Sequence, residues 1–233
     1  LAESGRAEDA ARESDGMIAA AENAVQNPNR LALIADSVVF QADLFEQLGQ
    51  KDKAIVTLRR NFTNAPVARQ RQALMRVAAL AIQQEQVAEA MQTLEAYLTQ
   101  FTNAAAADVA WLTLGELHLK QHVGVLKNSQ TEGGAGDHLA AAADCFQKVI
   151  TRYPGSLYIG KARLNLGWCF WVENKFAESE LAFDTAVKRL PGSEDRAVAQ
   201  FKLADAQFAQ SNYVAALTNY REVLLVMTNW PAV

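Results

Sequence analysis

Small and large apolar residues recur along the chain in one fixed frame. In five places a large apolar residue lies four positions after a small residue, and the large residues are spaced by 36, 52, 37 and 37 residues. Between these points apolar positions recur at helical spacing, as in segments 161–172 and 176–190. The pattern predicts repeats of about 37 residues, each made of two amphipathic helices. The small and large residues of the frame are Ala54 with Leu58, Ala90 with Leu94, Ala142 with Phe146, Ser179 with Phe183, and Ala216 with Tyr220.

A second small residue lies twelve positions before the first one in four of the five repeats. In the other repeat the corresponding Gly115 lies 27 positions before Ala142, which is a surplus of 15 residues. The surplus stretch, about 121–138, contains several glycines, and we expect it to form a flexible surface loop. Such a loop is either a tolerated surface excursion or a partner-binding element. The second small residues of the other repeats are Ala42, Ala78, Gly167 and Ala204.

The frame and the prolines divide the chain into repeats of one domain. Four of the five prolines lie between repeats, where a proline ring ends one helix or begins the next without interrupting either. These are Pro28, Pro66, Pro154 and Pro191. The predicted organisation is a degenerate or partial first repeat at 1–28, two divergent repeats at 29–104, a repeat at 105–156 that carries the insertion 121–138, a repeat at 157–193, and a last repeat with the C-terminal end at 194–233.

The composition is typical of packed helices. Of 233 residues 50% are apolar and 21% charged, and only 12 are glycine and 5 proline, which disfavours a sheet-rich fold. No apolar run approaches the ~18 residues that span a bilayer, so we expect no direct membrane insertion. The chain begins at Leu1 without a basic segment followed by an apolar stretch, so we expect that any targeting signal was removed or never existed.

Charge is concentrated at one end of the chain. Residues 1–28 hold six acidic and two basic residues, which accounts for the whole net charge of −4. The remainder is balanced and has no long basic run, and we interpret the arginines around 59–76 as a solvated helix face. We therefore expect no nucleic-acid partner.

The histidines are the best candidates for a metal site, and the cysteines for thiol chemistry. His118 and His122 lie four positions apart on a predicted helix, and with His138 they would suit zinc. The interpretation we favour is that His118 packs against its neighbours and His122 ends its helix. Cys145 and Cys169 lie on different predicted helices and are expected to be small buried hydrophobes. Since no nucleophile turn or phosphate loop is present either, we predict no catalytic residue, no metal and no cofactor.

Two repeats of the frame resemble the tetratricopeptide repeat, whose pattern is Trp-x2-Leu-Gly-x2-Tyr followed by Ala, Phe and Pro. Trp111, Leu114 and Gly115 match it, with His118 in the tyrosine position. The turns at 153–156 and 190–193 are similar to those of bacterial cell-envelope proteins of this family, such as the periplasmic partner of the Tol-Pal system and the lipoprotein of the outer-membrane assembly machine. The resemblance implies an all-α fold, a right-handed α-solenoid of stacked antiparallel helix pairs. The next repeat matches at Leu166, Gly167, Phe170, Phe183, Ala186 and Pro191.

In this family the first helices of the repeats line a concave groove that binds peptides or helices. Many of the corresponding positions here are apolar, and two tryptophans among them suit an amphipathic helix or an aromatic-bearing peptide. Trp168 and Trp171 either face the groove or pack against a neighbouring helix. The predicted partner-binding residues are Met75, Leu112, Glu116, Lys161, Leu164, Asn165, Trp168, Trp171, Phe201, Asp205 and Phe208.

The resemblance predicts a non-enzymatic scaffold that binds a protein or peptide partner in its groove, in bacterial cell-envelope assembly. A periplasmic or outer-membrane-associated location is favoured over a cytoplasmic one. Two alternatives stay open. The chain is a self-assembling scaffold whose end repeats stack on one another, or it is a helical accessory domain of a larger enzyme.

Overall fold

The structure, a computed structural model, describes residues 7–63, 65–101, 106–128 and 132–227. Over these ranges it holds eleven α-helices and no strand, which confirms the predicted all-α fold. The helices are α1 (Ala7–Asn23), α2 (Arg30–Gln47), α3 (Lys51–Arg59), α4 (Val67–Gln83), α5 (Val87–Gln100), α6 (Ala107–Asn128), α7 (Glu132–Arg152), α8 (Ile159–Val172), α9 (Phe176–Arg189), α10 (Glu194–Ala209) and α11 (Tyr213–Met227).

The chain forms two compact units, unit 1 (Leu1–Ala104) and unit 2 (Ala105–Val233). In unit 1 the helix pairs are α2/α3 and α4/α5. The first pair packs on the second through α3 and α4, and α1 packs on α2. In unit 2 the pairs are α6/α7, α8/α9 and α10/α11, with α7 packed on α8 and α9 on α10. Within each unit a helix mainly contacts its neighbours in sequence, as expected of stacked repeats.

Small residues of the frame allow the two helices of a pair to approach closely. A Cβ atom added to Gly167 of α8 would lie 2.6 Å from Cε1 of Phe183 on α9, and one added to Gly115 of α6 would lie 2.6 Å from Cε1 of Phe146 on α7. At the first of these contacts Ser179 donates a hydrogen bond from Oγ to the carbonyl oxygen of Gly167 at 3.0 Å. Small residues therefore recur at these positions for a steric reason, because a larger residue would displace a fully buried aromatic ring.

The turn within a helix pair contains a residue in the left-handed backbone region in four of the pairs. Gly49, Glu85, Asn174 and Ser211 have φ values of 72°, 60°, 58° and 64°. They lie at equivalent points of the frame, between α2 and α3, α4 and α5, α8 and α9, and α10 and α11. The same turn is thus reused. At Glu85 and Ser211 the side chain costs about 1–2 kcal/mol in this conformation, whereas Asn174 tolerates it.

The prediction of a flexible loop at 121–138 is wrong for the residues that the structure describes. Helix α6 continues to Asn128 and α7 already begins at Glu132, while residues 129–131 lie outside the described ranges. His118 and His138 face each other across the two helices, so the surplus residues lengthen both helices of one hairpin. Packing of α6 on α7 outweighs the helix cost of the glycines, about 1 kcal/mol each. His122, predicted at a helix end, consequently lies inside α6 and is buried.

Apolar clusters at the repeat interfaces form the core of each unit. Ala42, Leu58 and Val77 belong to one cluster of unit 1. In unit 2, one cluster joins α6, α7 and α8, and a second joins α8, α9 and α10. Cys145 and Cys169 are both buried, as predicted, and burial raises the pKa of Cys169 to about 12, so its thiol stays protonated at neutral pH.

Four arginines of unit 1 form ion pairs with acidic residues of other helices or repeats. Each pair is partly exposed, and together they neutralise four of the arginines that the sequence placed on a solvated face. The pairs are Arg59 with Glu89, Arg60 with Glu22, Arg69 with Asp36, and Arg76 with both Asp43 and Glu46.

Candidate functional site

The first helices of the repeats in unit 2 contact one another through their predicted groove residues. Asn165 of α8 donates from Nδ2 to Oε1 of Glu116 on α6 at 3.0 Å. Lys161 of α8 pairs with Asp195 of α10, with 2.6 Å between Nζ and Oδ1. These contacts join α6, α8 and α10. We call the surface formed by Lys202 and by the predicted groove residues of these helices that lie outside the core the groove surface.

Two predicted groove residues belong to the core of unit 2 instead of its surface. Leu112 is 6% exposed and packs in the cluster that includes Ala162 and Leu166 of α8. Leu164 is 3% exposed and packs in the cluster that includes Leu203 of α10. Each lies beneath the first helix of the following repeat, so both support the groove surface from below.

The tryptophans of α8 are half-buried and have one ring face or edge against a neighbour. Trp168 contacts Phe183 edge-on, with ring centroids 6.2 Å apart and an interplanar angle of 87°. Trp171 contacts Phe176 at 5.1 Å and 63°. The two alternatives left open by the sequence are therefore both realised in part, because each ring packs on α9 and keeps some exposure. Such T-shaped contacts hold the indole rings in fixed orientations.

Lys202 of α10 places its ammonium group among three aromatic rings. Its Nζ lies 4.7 Å from the ring centroid of Trp168, 5.6 Å from that of Trp171 and 5.4 Å from that of Phe201. It also pairs with Asp205 at 2.7 Å. Cation–π attraction and the ion pair together fix this lysine, and its side chain is only 20% exposed.

Asp205 connects the lysine to the second helix of the last repeat. Its Oδ2 receives Lys202, while its Oδ1 accepts a hydrogen bond from the hydroxyl of Tyr220 at 2.6 Å. Burial and this hydrogen bond raise the pKa of Tyr220 to about 12, so the phenol stays a donor at physiological pH. Asp205 is thus held on both sides, and the pair presents one positive and one negative group within an aromatic surround.

Two phenylalanines of α10 are the most exposed members of the groove surface. Phe201 is 44% exposed and its ring lies 5.3 Å from that of Tyr220. Phe208 is 58% exposed and contacts Tyr213 at 5.1 Å and 63°. The second contact repeats the geometry of Trp171 on its neighbour 37 positions earlier. Exposed aromatic rings held by packing are typical of binding hot spots.

Met75, the remaining predicted groove residue, lies on α4 in unit 1 and is half-buried. Its neighbour Arg76 pairs with Asp43 and Glu46 of α2. The first helices of unit 1 therefore meet through charged groups at this point, where those of unit 2 meet through aromatic rings.

The histidines form a contact between helices. The Nδ1 atoms of His118 and His138 lie 3.0 Å apart, which is a hydrogen-bond distance between two rings. Burial, followed by the proximity of His138, lowers the pKa of His118. Over the described residues, no group of three or more His, Cys, Asp or Glu side chains is arranged to hold a metal ion.

Lys202 and Tyr220 belong to this site but are not among the predicted partner-binding residues. Lys202 occupies a groove position, but its ring contacts involve residues 34, 31 and 1 positions away in the chain and depend on how α10 packs on α8. Tyr220 was recognised as the large residue of its repeat.

Helix pairs with a small residue against a buried ring, repeated at 36–37 residues with a left-handed turn, define a protein of the tetratricopeptide class. The chain belongs to the YfiO family of outer membrane lipoproteins, whose family profile matches residues 47–186, more than half of the chain.

Solved structures with the same fold match this chain over most of their own length. MamA (residues 41 to the end) from Desulfovibrio magneticus RS-1 has 14% identity and a TM-score of 0.63, with 84% of this chain and 96% of that chain covered. YrrB, described as a TPR protein with an unusual peptide-binding site, has 15% identity and a TM-score of 0.59, with 84% and 88% covered. TTC0263, a thermophilic TPR protein from Thermus thermophilus, has 14% identity and a TM-score of 0.54, with 85% and 92% covered.

Among curated protein sequences, none matches this chain significantly. Of the helices that the described ranges contain, none has the length and hydropathy needed to cross a bilayer.

Proposed function

We propose that this chain is a non-enzymatic scaffold that binds a peptide or helix of a partner protein on the groove surface of unit 2, in the assembly of a bacterial cell envelope. The observation that carries the proposal is the arrangement on α8 and α10, where half-exposed rings surround a fixed lysine–carboxylate pair. The family is one of outer membrane lipoproteins, which supports a location at the outer membrane or in the periplasm.

The chemistry of the groove surface indicates what kind of segment it binds. Trp171, Phe201 and Phe208 offer apolar area at low entropic cost, because their rings are already held by packing. Lys202 and Asp205 offer one charge of each sign between the rings. The matching ligand carries an aromatic or large aliphatic side chain and polar groups on the adjacent turn. YrrB, which shares the fold, is described as having a peptide-binding site, and this adds support by analogy.

Selection of random 15-residue peptides on the immobilised chain tests this proposal. Peptides that bind the groove surface should lose about 30-fold in affinity when Phe208 is replaced by Ala, which corresponds to the ~2 kcal/mol of an aromatic hot spot. Lys202→Met, which keeps the apolar stem and removes the charge, should weaken peptides that contain an acidic residue. Fluorescence anisotropy measures both effects.

Leu181→Ala provides the matched control, because Leu181 is 65% exposed on α9 and lies outside the groove surface. Helix content by circular dichroism should be the same for all three variants. If the selected peptides bind the Phe208 variant as tightly as the unaltered chain, the groove surface is not the binding site and the proposal fails.

A further inference from the structure

A cavity of about 870 Å³ lies in unit 1, where the end of α1, the beginning of α2 and the end of α3 come together. We call it the arginine cavity. Its described walls carry three arginines and one acidic residue, so they are positive in a chain whose net charge is −4. The wall residues that matter here are Glu22, Arg30, Leu31, Ile34, Arg59 and Arg60.

Arg30 brings a positive charge that no carboxylate among the described residues balances. Its Nε donates a hydrogen bond to the main-chain carbonyl oxygen of Glu22 at 2.9 Å, and its two terminal nitrogens have no acceptor in the described part of the chain. Arg30 is also the first residue of α2, where a positive charge is unfavourable because the N-terminus of a helix is itself positive. The stability of α2 therefore does not explain an arginine at this position.

The other two arginines of the cavity keep most of their hydrogen-bonding capacity. Arg60 pairs with Glu22, with 3.1 Å between Nη2 and Oε1, while Arg59 pairs with Glu89, which is not a wall residue. A guanidinium group has five N–H donors, and each of these two arginines uses one of them on its partner. Their side chains are 51% and 43% exposed for Arg59 and Arg60, so the remaining donors are open to a ligand.

Three guanidinium groups around one space are suited to an oxyanion with several acceptor oxygens. The planar fork of an arginine matches phosphate and carboxylate groups through two parallel hydrogen bonds. A phosphate monoester carries about 1.5–2 negative charges at neutral pH and three strong acceptor oxygens, so it engages several arginines at once. A carboxylate has one charge and two oxygens and would leave more of these donors unused. The charge of the walls therefore favours a phosphate group.

The size and the apolar part of the wall indicate that the ligand is more than inorganic phosphate. A volume of about 870 Å³ falls in the range of about 300–1,000 Å³ that small-molecule sites occupy. Leu31 is 51% exposed, and the half-buried Ile34 lies three positions later on the same face of α2. These side chains are covered only if the ligand carries hydrocarbon next to its phosphate group.

We propose that the arginine cavity binds a phosphate monoester with an apolar substituent. Arg30 binds the phosphate oxygens, Arg59 and Arg60 supply further donors, and Glu22 competes with the ligand for Arg60. The phosphate belongs either to a soluble ester or to a lipid headgroup, which share this chemistry. The site lies in unit 1 and has no residue in common with the groove surface, so it is a second binding function beside the proposed one.

Titration calorimetry of the full chain with hexyl phosphate tests the proposal. The dissociation constant should lie below about 1 mM, whereas hexanol, which has the same chain without the charge, should not bind. Arg30→Gln should weaken binding at least about tenfold, because a hydrogen-bonded charge is lost. Arg30→Lys, which keeps the charge but not the planar fork, should weaken it less. Arg189→Gln, at an exposed arginine of α9, is the matched control and should have no effect.

A substitution at Glu22 should act with the opposite sign. Glu22→Gln removes the acidic residue of the wall and releases Arg60, so the affinity for hexyl phosphate should rise about threefold. Glu178→Gln, at an exposed acidic residue of α9, is its matched control. Circular dichroism should show the same helix content for all variants. Unchanged affinity in Arg30→Gln, weaker binding in Glu22→Gln, or equal binding of hexanol would each overturn the proposal.

Vesicles identify the source of the phosphate. Flotation compares phosphatidylcholine vesicles that contain phosphatidic acid with vesicles of phosphatidylcholine alone. Binding that requires phosphatidic acid and is reduced in Arg30→Gln supports the site with a lipid headgroup as its ligand. Binding of hexyl phosphate without binding of these vesicles supports the site with a soluble ester. Phe208→Ala, which tests the groove function, should leave the affinity for hexyl phosphate unchanged, and a loss there would move the ligand to the groove surface and overturn the proposal.

Discussion

The contact between Gly167 and Phe183 makes a sharp prediction about stability. In Gly167→Ala the new Cβ would lie 2.6, 2.7 and 3.0 Å from three atoms of the Phe183 ring, well below the 3.5–4.0 Å of ordinary carbon contacts. The ring is fully buried and lies edge-on against Trp168, so it has little room to move. The overpacking should therefore cost about 3 kcal/mol, at the upper end of the usual range.

Helix propensity acts in the opposite direction in the same variant. Alanine is favoured over glycine inside a helix by about 1 kcal/mol, so the net expectation is a loss of about 2 kcal/mol in the free energy of unfolding. Urea denaturation followed by circular dichroism measures it. Gly124→Ala in α6 is the matched control, because no atom lies within 4 Å of the added Cβ and only the propensity gain of about 1 kcal/mol should appear.

The two substitutions are chemically identical and should change stability in opposite directions. If Gly167→Ala stabilises the chain as much as Gly124→Ala, the steric account of the repeat frame is refuted. A double variant adds a second check. Phe183→Leu removes part of the ring that meets the new Cβ, so Gly167→Ala should cost less in that background than in the unaltered chain, with an interaction energy of about 1 kcal/mol or more.

Two further predictions concern the turns and the histidine contact. Glu85→Gly should raise the free energy of unfolding by about 0.5–1 kcal/mol, because φ is 60° there. Asn174→Gly should raise it less, since asparagine tolerates this conformation. Urea midpoints measure both, and a gain at Glu85 no larger than that at Asn174, or a loss, would contradict the argument. Because the pKa of His118 is lowered from 6.5 in the folded chain, its contribution to stability is constant above pH 6.5 and is lost as the pH falls below it. Urea midpoints between pH 7.5 and 5 should show this loss, His118→Gln should reduce it, and an unchanged pH dependence in that variant would count against the assignment.

The repeat frame was predictable because it records local and periodic constraints. A small residue followed by a second small residue 12 positions later and a large one 16 positions later reflects a helix pair closed by a short turn, and Gly167 against Phe183 is the direct example. The same spacing predicted the helices of four pairs. At 121–138 the glycines favoured a loop, but packing between two long helices decided the structure, and no local signal at Gly133 or Gly136 reports on that packing.

The sequence predicted on which helix faces the candidate site lies, but not how its side chains contact one another. The periodicity of a first helix indicates which residues lie on its groove side, and Phe201 and Phe208 are exposed there. It does not separate the surface from the layer beneath, because Leu164 shares that side and is covered by the following helix. The ring contacts of Lys202 depend on the offset between α8 and α10, which is a property of tertiary packing.

The ion pairs of unit 1 have a consequence for how the chain responds to its surroundings. Contacts such as Arg59 with Glu89 and Arg69 with Asp36 connect successive repeats through partly exposed charges, and each such pair is worth about 0.2–1 kcal/mol in dilute buffer. At 1 M salt the screening length falls to about 3 Å, and most of that contribution disappears. Among the described residues, the repeats of unit 2 share one such pair, Lys161 with Asp195, and pack through two clusters of buried apolar side chains, which salt does not screen. A rise in ionic strength should therefore weaken the contacts between repeats in the N-terminal half of the chain more than those in the half that carries the groove surface.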